Sequence, residues 1–190
     1  LLTVPISISN LKSLEILKQH IDINDKQKTA LISTERPIVI IPKSNLNPPL
    51  ALEELAPNLN QLGVMLPYSG ILQLLADELK KPIVATSGNL HGSPIISDNQ
   101  VSVDVLQNIA DYFLHHNLII TNPQDDSVVK FSFKNKQEVL FRRSRGYAPN
   151  YFSATIKTNK KIMALGGHLK STIAFLPNDY LYISQYLGNL

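Results

Sequence analysis

Three polar segments follow or flank apolar runs in this chain: Thr86-Ser87-Gly88-Asn89, Asp125-Asp126-Ser127 and Arg142-Arg143-Ser144-Arg145-Gly146. Together they supply hydroxyls, an amide, carboxylates and guanidiniums. That set suits a nucleotide bound with a metal ion. Arginine pairs bidentately with phosphate oxygens, and Mg²⁺ is held through one or two carboxylates. Gly88 permits close backbone approach, and Asn89 can donate or accept. A fourth segment, Gly166-Gly167-His168-Leu169-Lys170-Ser171-Thr172, lies between two apolar runs and can hold a phosphate through backbone N–H groups and Lys170. None of these segments is specific alone. Each also reads as an ordinary turn or a charged strand edge.

The chain contains no GxxxxGK[ST] loop, no Cys/His metal spacing and no G-x-S-x-G elbow. No protein metal site is expected within it. The two neighbouring histidines, His115 and His116, would point to different faces of a strand, which favours a plain turn.

These segments need a scaffold. Pro82-Ile83-Val84-Ala85 reads as a short buried strand that delivers Thr86 at its carboxyl end, where open α/β sheets often place ligands. Ile38 to Ile41, bracketed by Pro37 and Pro42, reads as another, and residues 63–66 as a third. Residues 127–133 and 139–144 alternate and form a β-hairpin, with Val129, Phe131 and Phe133 on one side and Val128, Lys130 and Ser132 on the other. Helices are expected over residues 10–20, from Asn24 or Asp25 to about Ser33, over 71–80 behind Ser69, and from Asp98 to about Ala110. In the third, Ile71, Leu74, Leu75 and Leu79 line one face; in the fourth, Val101, Val105, Leu106 and Ile109 point inward. Residues 3–8, 112–114 and 118–121 read as short strands, and 45–57 as proline-rich and irregular. The pattern fades over 146–161, which reads as a linker. Three strands in a meander follow, at 161–165, 172–176 and 180–186, which alone bury neither face fully.

Composition sets limits. The 190 residues are 44% hydrophobic, enough for a packed core, and contain no cysteine, which excludes disulfides, thiolate metal sites and cysteine nucleophiles. Absence of cysteine fits a cytoplasmic protein, and no apolar run approaches 18 residues, so no membrane helix is expected. The start, Leu1-Leu2-Thr3-Val4-Pro5, reads as the cut edge of a longer chain. Net charge is +3, but nine of the 18 Lys and Arg fall between Lys130 and Lys161, opposed only by Glu138. Such a field favours a polyanion: a triphosphate, RNA or an acidic partner.

The order of segments is more specific than any one of them. RPIVII, LGVMLP, PIVATSGNLHGSPI, DDSVVK, LFRRSRGYAP and ALGGHLKST…YISQYLGNL together resemble the HypF hydrogenase-maturation carbamoyltransferases nearly end to end. The resemblance implies an α/β fold: a YrdC-like twisted mixed sheet flanked by helices, followed by the first β-meander of an ASKHA-type domain. Residues 1–152 then make a YrdC-like domain lacking its start, and 153–190 a linker and the beginning of a Kae-type carbamoyltransferase domain.

It also implies chemistry. Such enzymes take carbamoyl phosphate, release carbamate, and join it to ATP as carbamoyl adenylate. They then pass the carbamoyl group to the C-terminal cysteine of a partner, HypE. By the same resemblance the nucleotide is contacted by Thr86, Ser87, Asn89 and Ser127, and by Arg142 or Arg143; Gly88, Asp126 and Arg145, in the same polar segments, are expected to join the nucleotide site by residue type. Gly166, Gly167, Lys170 and Ser171 form a phosphate loop of the second domain. ATP and Mg²⁺ are the implied cosubstrate and ion; zinc or another metal belongs to other parts of the family. Tyr186 and Asn189 stand where the family pattern has His and Asp. The isolated chain is expected not to complete the reaction. Two other readings stay open. One is a threonylcarbamoyl-adenylate synthase for tRNA modification, against which the GGHLKST segment directly after RGYAP argues. The other is a non-catalytic RNA-binding module that uses the basic cluster with Phe131, Phe133 and Tyr147.

Overall fold

The computed structural model describes residues 2–3, 21–45, 52–80, 82–121, 123–148, 151–153, 157–167 and 171–185. They divide into two compact units, one built from Leu1–Thr86 and Asp126–Gly146, the other from Ser87–Asp125 and Tyr147–Leu190.

The first unit is a six-stranded mixed sheet. Its strands are β1 (Leu2–Thr3), β2 (Ile38–Pro42), β3 (Gln61–Met65), β4 (Ile83–Val84), β5 (Val128–Phe131) and β6 (Glu138–Arg142), in the order β4-β1-β3-β2-β5-β6. The β1–β3 and β2–β5 pairs are parallel and the rest antiparallel. Register explains the core. Val39 stands opposite both Val64 and Val129, and Ile41 opposite Leu62. These side chains, with Phe131, share one face and are buried. Burying each contributes roughly 1.5–3 kcal/mol.

Among the described residues this unit has three α-helical segments and a 3-10 turn at Lys43–Asn45. Asn24 and Gln27 form a reciprocal capping box at the start of α1 (Asp25–Ile32), whose Ala30 and Leu31 are buried. A single turn, α2 (Leu52–Leu55), occupies part of the stretch read as irregular, and the Lys43 ammonium donates to the Ala56 carbonyl just beyond it at 2.6 Å. Ser69 caps α3 (Gly70–Leu79), as its position predicts. The predicted face of α3 lies open: Ile71, Leu74, Leu75 and Leu79 are all exposed, and Ala76 is the buried residue.

The hairpin forms, but β5 stops before Phe133. Ser132 donates its N–H to Gln137 O at 2.8 Å and accepts Lys136 N–H at its carbonyl at 3.1 Å, which closes a turn over 132–137. Phe133 therefore rides on the turn, 92% exposed, and does not join Val129 and Phe131 in the core.

The second unit has α4 (Asn99–Leu106), capped by Asp98, and an antiparallel sheet. The expectation that Val101, Val105 and Ile109 point inward is overturned: all three are exposed, and α4 has no buried residue. No strand forms over 112–114 or 118–121. Here Asn99 donates to the His116 carbonyl at 2.9 Å, and His116 Nδ1 accepts the Leu118 N–H at 3.2 Å, beside a bend at residues 117–118. The predicted meander is present as β8 (Ile162–Leu165), β9 (Ile173–Leu176) and β10 (Tyr180–Ile183). A fourth strand, β7 (Tyr151–Ser153), pairs with the free side of β10 within the stretch read as linker. The predicted helix over 10–20, most of the strand over 3–8, and Tyr186 and Asn189 lie outside the described residues. No helix among the described residues is long and apolar enough to cross a membrane.

Candidate functional site

The densest polar cluster is built where β5 begins and β6 ends. Asp126 and Arg145 form a parallel bridge beside these strands. The Arg145 guanidinium is spread over three acceptors. Its Nε donates to Asp126 Oδ1 at 2.8 Å, Nη1 to Glu35 O at 3.1 Å and Nη2 to Arg36 O at 2.8 Å. Its plane lies over the Tyr68 ring, with Cζ 3.6 Å from the centroid. This is the planar fork that makes arginine suited to several acceptors at once.

Ser127 is fully buried, and its hydroxyl is used inside the fold. It accepts the Ser144 N–H at 2.8 Å and donates to Arg145 O at 2.9 Å. The next residue after Arg145 explains how the chain fits here. Gly146 has φ of 88°, and a Cβ on it would lie 2.5 Å from Glu35 O and 2.7 Å from Glu35 Cα. Only glycine allows both that conformation and that approach. Arg36 opposite it also has positive φ, at 46°, and donates from Nη1 to Leu31 O at 3.2 Å, at the end of α1.

The charges of this cluster are tuned by its surroundings. Burial raises the Tyr68 phenol above its ordinary value; the Asp126 charge adds to this and the Arg145 cation offsets part of it. The Glu35 carboxyl is lowered by its own backbone N–H and by the Ser33 hydroxyl, against a smaller opposing effect of burial. Burial alone lowers the Arg36 and Arg143 guanidiniums. Arg142 donates from Nε to the Asp126 carbonyl at 2.7 Å, so it too rests against the start of β5.

The remaining expected residues are placed elsewhere. Thr86 is exposed beyond the carboxyl end of β4, whereas Ser127 precedes the amino end of β5. β4 and β5 run in the same direction with three strands between them, so the sheet itself does not bring Thr86 to Ser127. Ser87, Gly88 and Asn89 belong to the second unit. There Asn89 Nδ2 donates to Leu90 O and Ser93 O, both at 2.9 Å, and Gly88 O accepts the Ile96 N–H at 3.0 Å. Asn89 thus fastens its own loop. Ser87 and Gly88 stay exposed. In the hairpin after β8, Gly166 N–H donates to Thr172 O at 2.9 Å, with Gly167 exposed and Ser171 half-buried; Lys170 lies outside the described residues.

Mg²⁺ finds no ready cage: no group of three His, Cys, Asp or Glu capable of holding a metal occurs among the described residues. Asp125, Asp126 and Glu35 are carboxylates near the cluster, and one oxygen of Asp126 is taken by Arg145. That donor set suits an ion that arrives on a nucleotide's phosphates and needs one further carboxylate. Sequence reasoning missed Tyr68, Glu35 and Arg36. No motif marks them, and two of them take part through backbone carbonyls.

Two family models match this chain. The one described as "Telomere recombination" (Sua5, YciO, YrdC) matches residues 5–144. The chain belongs to that family. The HypF Kae1-like domain model matches residues 157–190, which follow that region. Carbamoyltransferase HypF of Synechocystis sp. is 42% identical over 172 residues, 90% of this chain and 22% of the relative. The probable carbamoyltransferase HypF of Methanocaldococcus jannaschii is 40% identical over 94% of this chain and 23% of its own length. A crystal structure of full-length HypF in its phosphate- and nucleotide-bound form superposes with a TM-score of 0.81 at 35% identity, covering all of this chain and 28% of that one. The chain therefore spans less than a quarter of the length of these two curated HypF relatives.

Proposed function

We propose that this chain is the part of a HypF-type carbamoyltransferase that forms carbamoyl adenylate from carbamate and ATP. Carbamate derives from carbamoyl phosphate, and the carbamoyl group passes on to the C-terminal cysteine of HypE. The observation that carries this reading is the succession of a YrdC-type match and a HypF Kae1-like match in one chain. The same succession weighs against a tRNA-modifying threonylcarbamoyl-adenylate synthase.

In this reading a carbamate oxygen attacks the α-phosphorus of ATP, an O–P bond forms, and pyrophosphate leaves. No covalent protein intermediate is needed. The protein must orient two anions and offset charge as it develops on the phosphate oxygens. Arg142 and Arg143 are the guanidiniums that offset that charge, with Arg142 also held to the Asp126 carbonyl through Nε. Thr86 and Ser87 offer hydroxyls, and the Gly88 backbone can approach a phosphate closely. Ser127, Arg145 and Asn89 act as positioning residues, since their donors are committed to the fold. Mg²⁺ would enter with ATP and take an oxygen of Asp125 or Asp126.

The test uses the intact protein. Asn89→Ala is expected to depress carbamoyl phosphate-dependent ATP–pyrophosphate exchange about tenfold or more, the scale of one lost positioning contact, while carbamoyl phosphate hydrolysis persists. Equal loss of both activities sinks the assignment of this loop. The 190-residue chain alone is expected to release no pyrophosphate from ATP and carbamoyl phosphate; clear release refutes that.

A further inference from the structure

The proposed reaction uses the arginines of the basic cluster and leaves Lys130 and Lys136 without a task. Both line a cavity of about 670 Å³ in the first unit. That volume lies within the range of pockets that hold small organic ligands. The cavity opens where β5 ends and β3 begins, about 13 Å along β5 from Ser127 (four residues at ~3.3 Å). It is therefore separate from the Asp126–Arg145 cluster.

Its lining has two features. First, its two charged residues are lysines, and no Asp or Glu is among the described residues that line it. The Lys130 ammonium is held by Gln61 Oε1 at 3.0 Å. Lys136 is fixed by the hairpin turn. Its φ of 49° is a costly conformation for a side-chain-bearing residue, maintained by the bonds of Ser132 to residues 136 and 137. Second, flat apolar surface lies beside each cation. Lys136 Nζ sits 5.1 Å from the Phe133 ring centroid, and Lys130 Nζ 6.0 Å from that of Phe141. Phe133 and Phe141 are 92% and 66% exposed, a poor use of aromatic surface unless something planar covers it. Two ammoniums with no carboxylate in the lining select an anion; two open rings select a planar body.

We propose that this cavity binds a phosphate monoester carried on a planar ring, with the phosphate between Lys130 and Lys136 and the ring against Phe133 or Phe141. It is a binding site distinct from the adenylation chemistry, and that reading stands whether or not this site exists.

The chain has no tryptophan, so Phe133→Trp places a single reporter at the cavity mouth, on an exposed turn that tolerates the exchange. Indole fluorescence is followed while AMP, adenosine or inorganic phosphate is added. AMP is expected to quench at lower concentration than either fragment. Adding Lys136→Met is expected to weaken AMP about tenfold, the loss of one charge-assisted hydrogen bond, with adenosine unaffected. Lys130→Met acts in the same direction, and Lys157→Met, in the other unit, changes nothing. The proposal is overturned if AMP binds no better than adenosine or phosphate, or if Lys136→Met leaves AMP quenching intact.

Discussion

Gly146→Ala isolates the cost of the close approach between the end of the β6 segment and the Glu35 loop. The native φ of 88° is itself unfavourable for alanine, at about 1–2 kcal/mol. The new methyl would also meet Glu35 O at 2.5 Å, Glu35 Cα at 2.7 Å and Glu35 C at 3.0 Å. All three are backbone atoms, so no flexible side chain can yield. The loop over 33–36 must retreat, and the Arg145 bonds to Glu35 O and Arg36 O lengthen with it. Losing one such charged hydrogen bond costs about 1.5–3 kcal/mol. The sum is roughly 2.5–5 kcal/mol, or about 5–20 °C in melting temperature at 2–4 °C per kcal/mol for a chain of this size. Thermal and urea unfolding followed by tyrosine fluorescence measure it. Gly146→Asn tolerates positive φ but carries the same Cβ, so it should recover only the first contribution. A loss under about 1 kcal/mol for Gly146→Ala, or full recovery by Gly146→Asn, refutes the clash.

Two further outcomes follow from the same geometry. Tyr68 should ionise above its ordinary value near 10, and Asp126→Asn should lower it by removing a neighbouring negative charge. Because the folded-state value is raised, the stability linked to Tyr68 is complete below the unfolded-state value and lost as pH climbs through the folded one. Phenolate absorbance reads both, and an unchanged or higher titration in Asp126→Asn contradicts the assignment. Asn89→Asp removes both donors that fasten the loop to Leu90 O and Ser93 O. Hydrogen exchange at the Ile96 amide, which closes the same loop onto Gly88 O, should accelerate about fivefold or more for the loss of ~1–3 kcal/mol; unchanged protection there removes Asn89 from that role.

Local chemistry was readable where a residue acts on its near neighbours. Asn24, Ser69 and Asp98 cap helices because a short polar side chain before an apolar-periodic run satisfies orphan N–H groups. The β5–β6 hairpin and β2 follow from alternation and bracketing prolines. Periodicity was less informative about burial. It assigns Val101, Val105 and Ile109 to one helix face but carries no information on whether anything covers that face, and here they are exposed. β7 was invisible because its reason lies in β10, where Ser153 pairs with Tyr180 and Tyr151 with Tyr182, and not in its own short run. The site shows the same division. Arginines near serines and aspartates indicate anion chemistry by type, but type does not say where donors point. Arg145 and Ser127 commit theirs to the fold, through the carbonyls of Glu35 and Arg36 and the backbone around Ser144, which no residue pattern announces.

The Arg145 clasp also decides how the first unit bears load. The unit ends at Gly146, and β6 is an edge strand. An edge strand pulled from its end normally peels, one hydrogen bond after another, at low force. Here tension entering from Tyr147 reaches Arg145 before it reaches β6, and Arg145 is tied to residues 35 and 36, at the entry to β2 in the middle of the sheet. The pull is shared across several bonds that must break as a group. The chain thus leaves this unit at Gly146 through an anchored post.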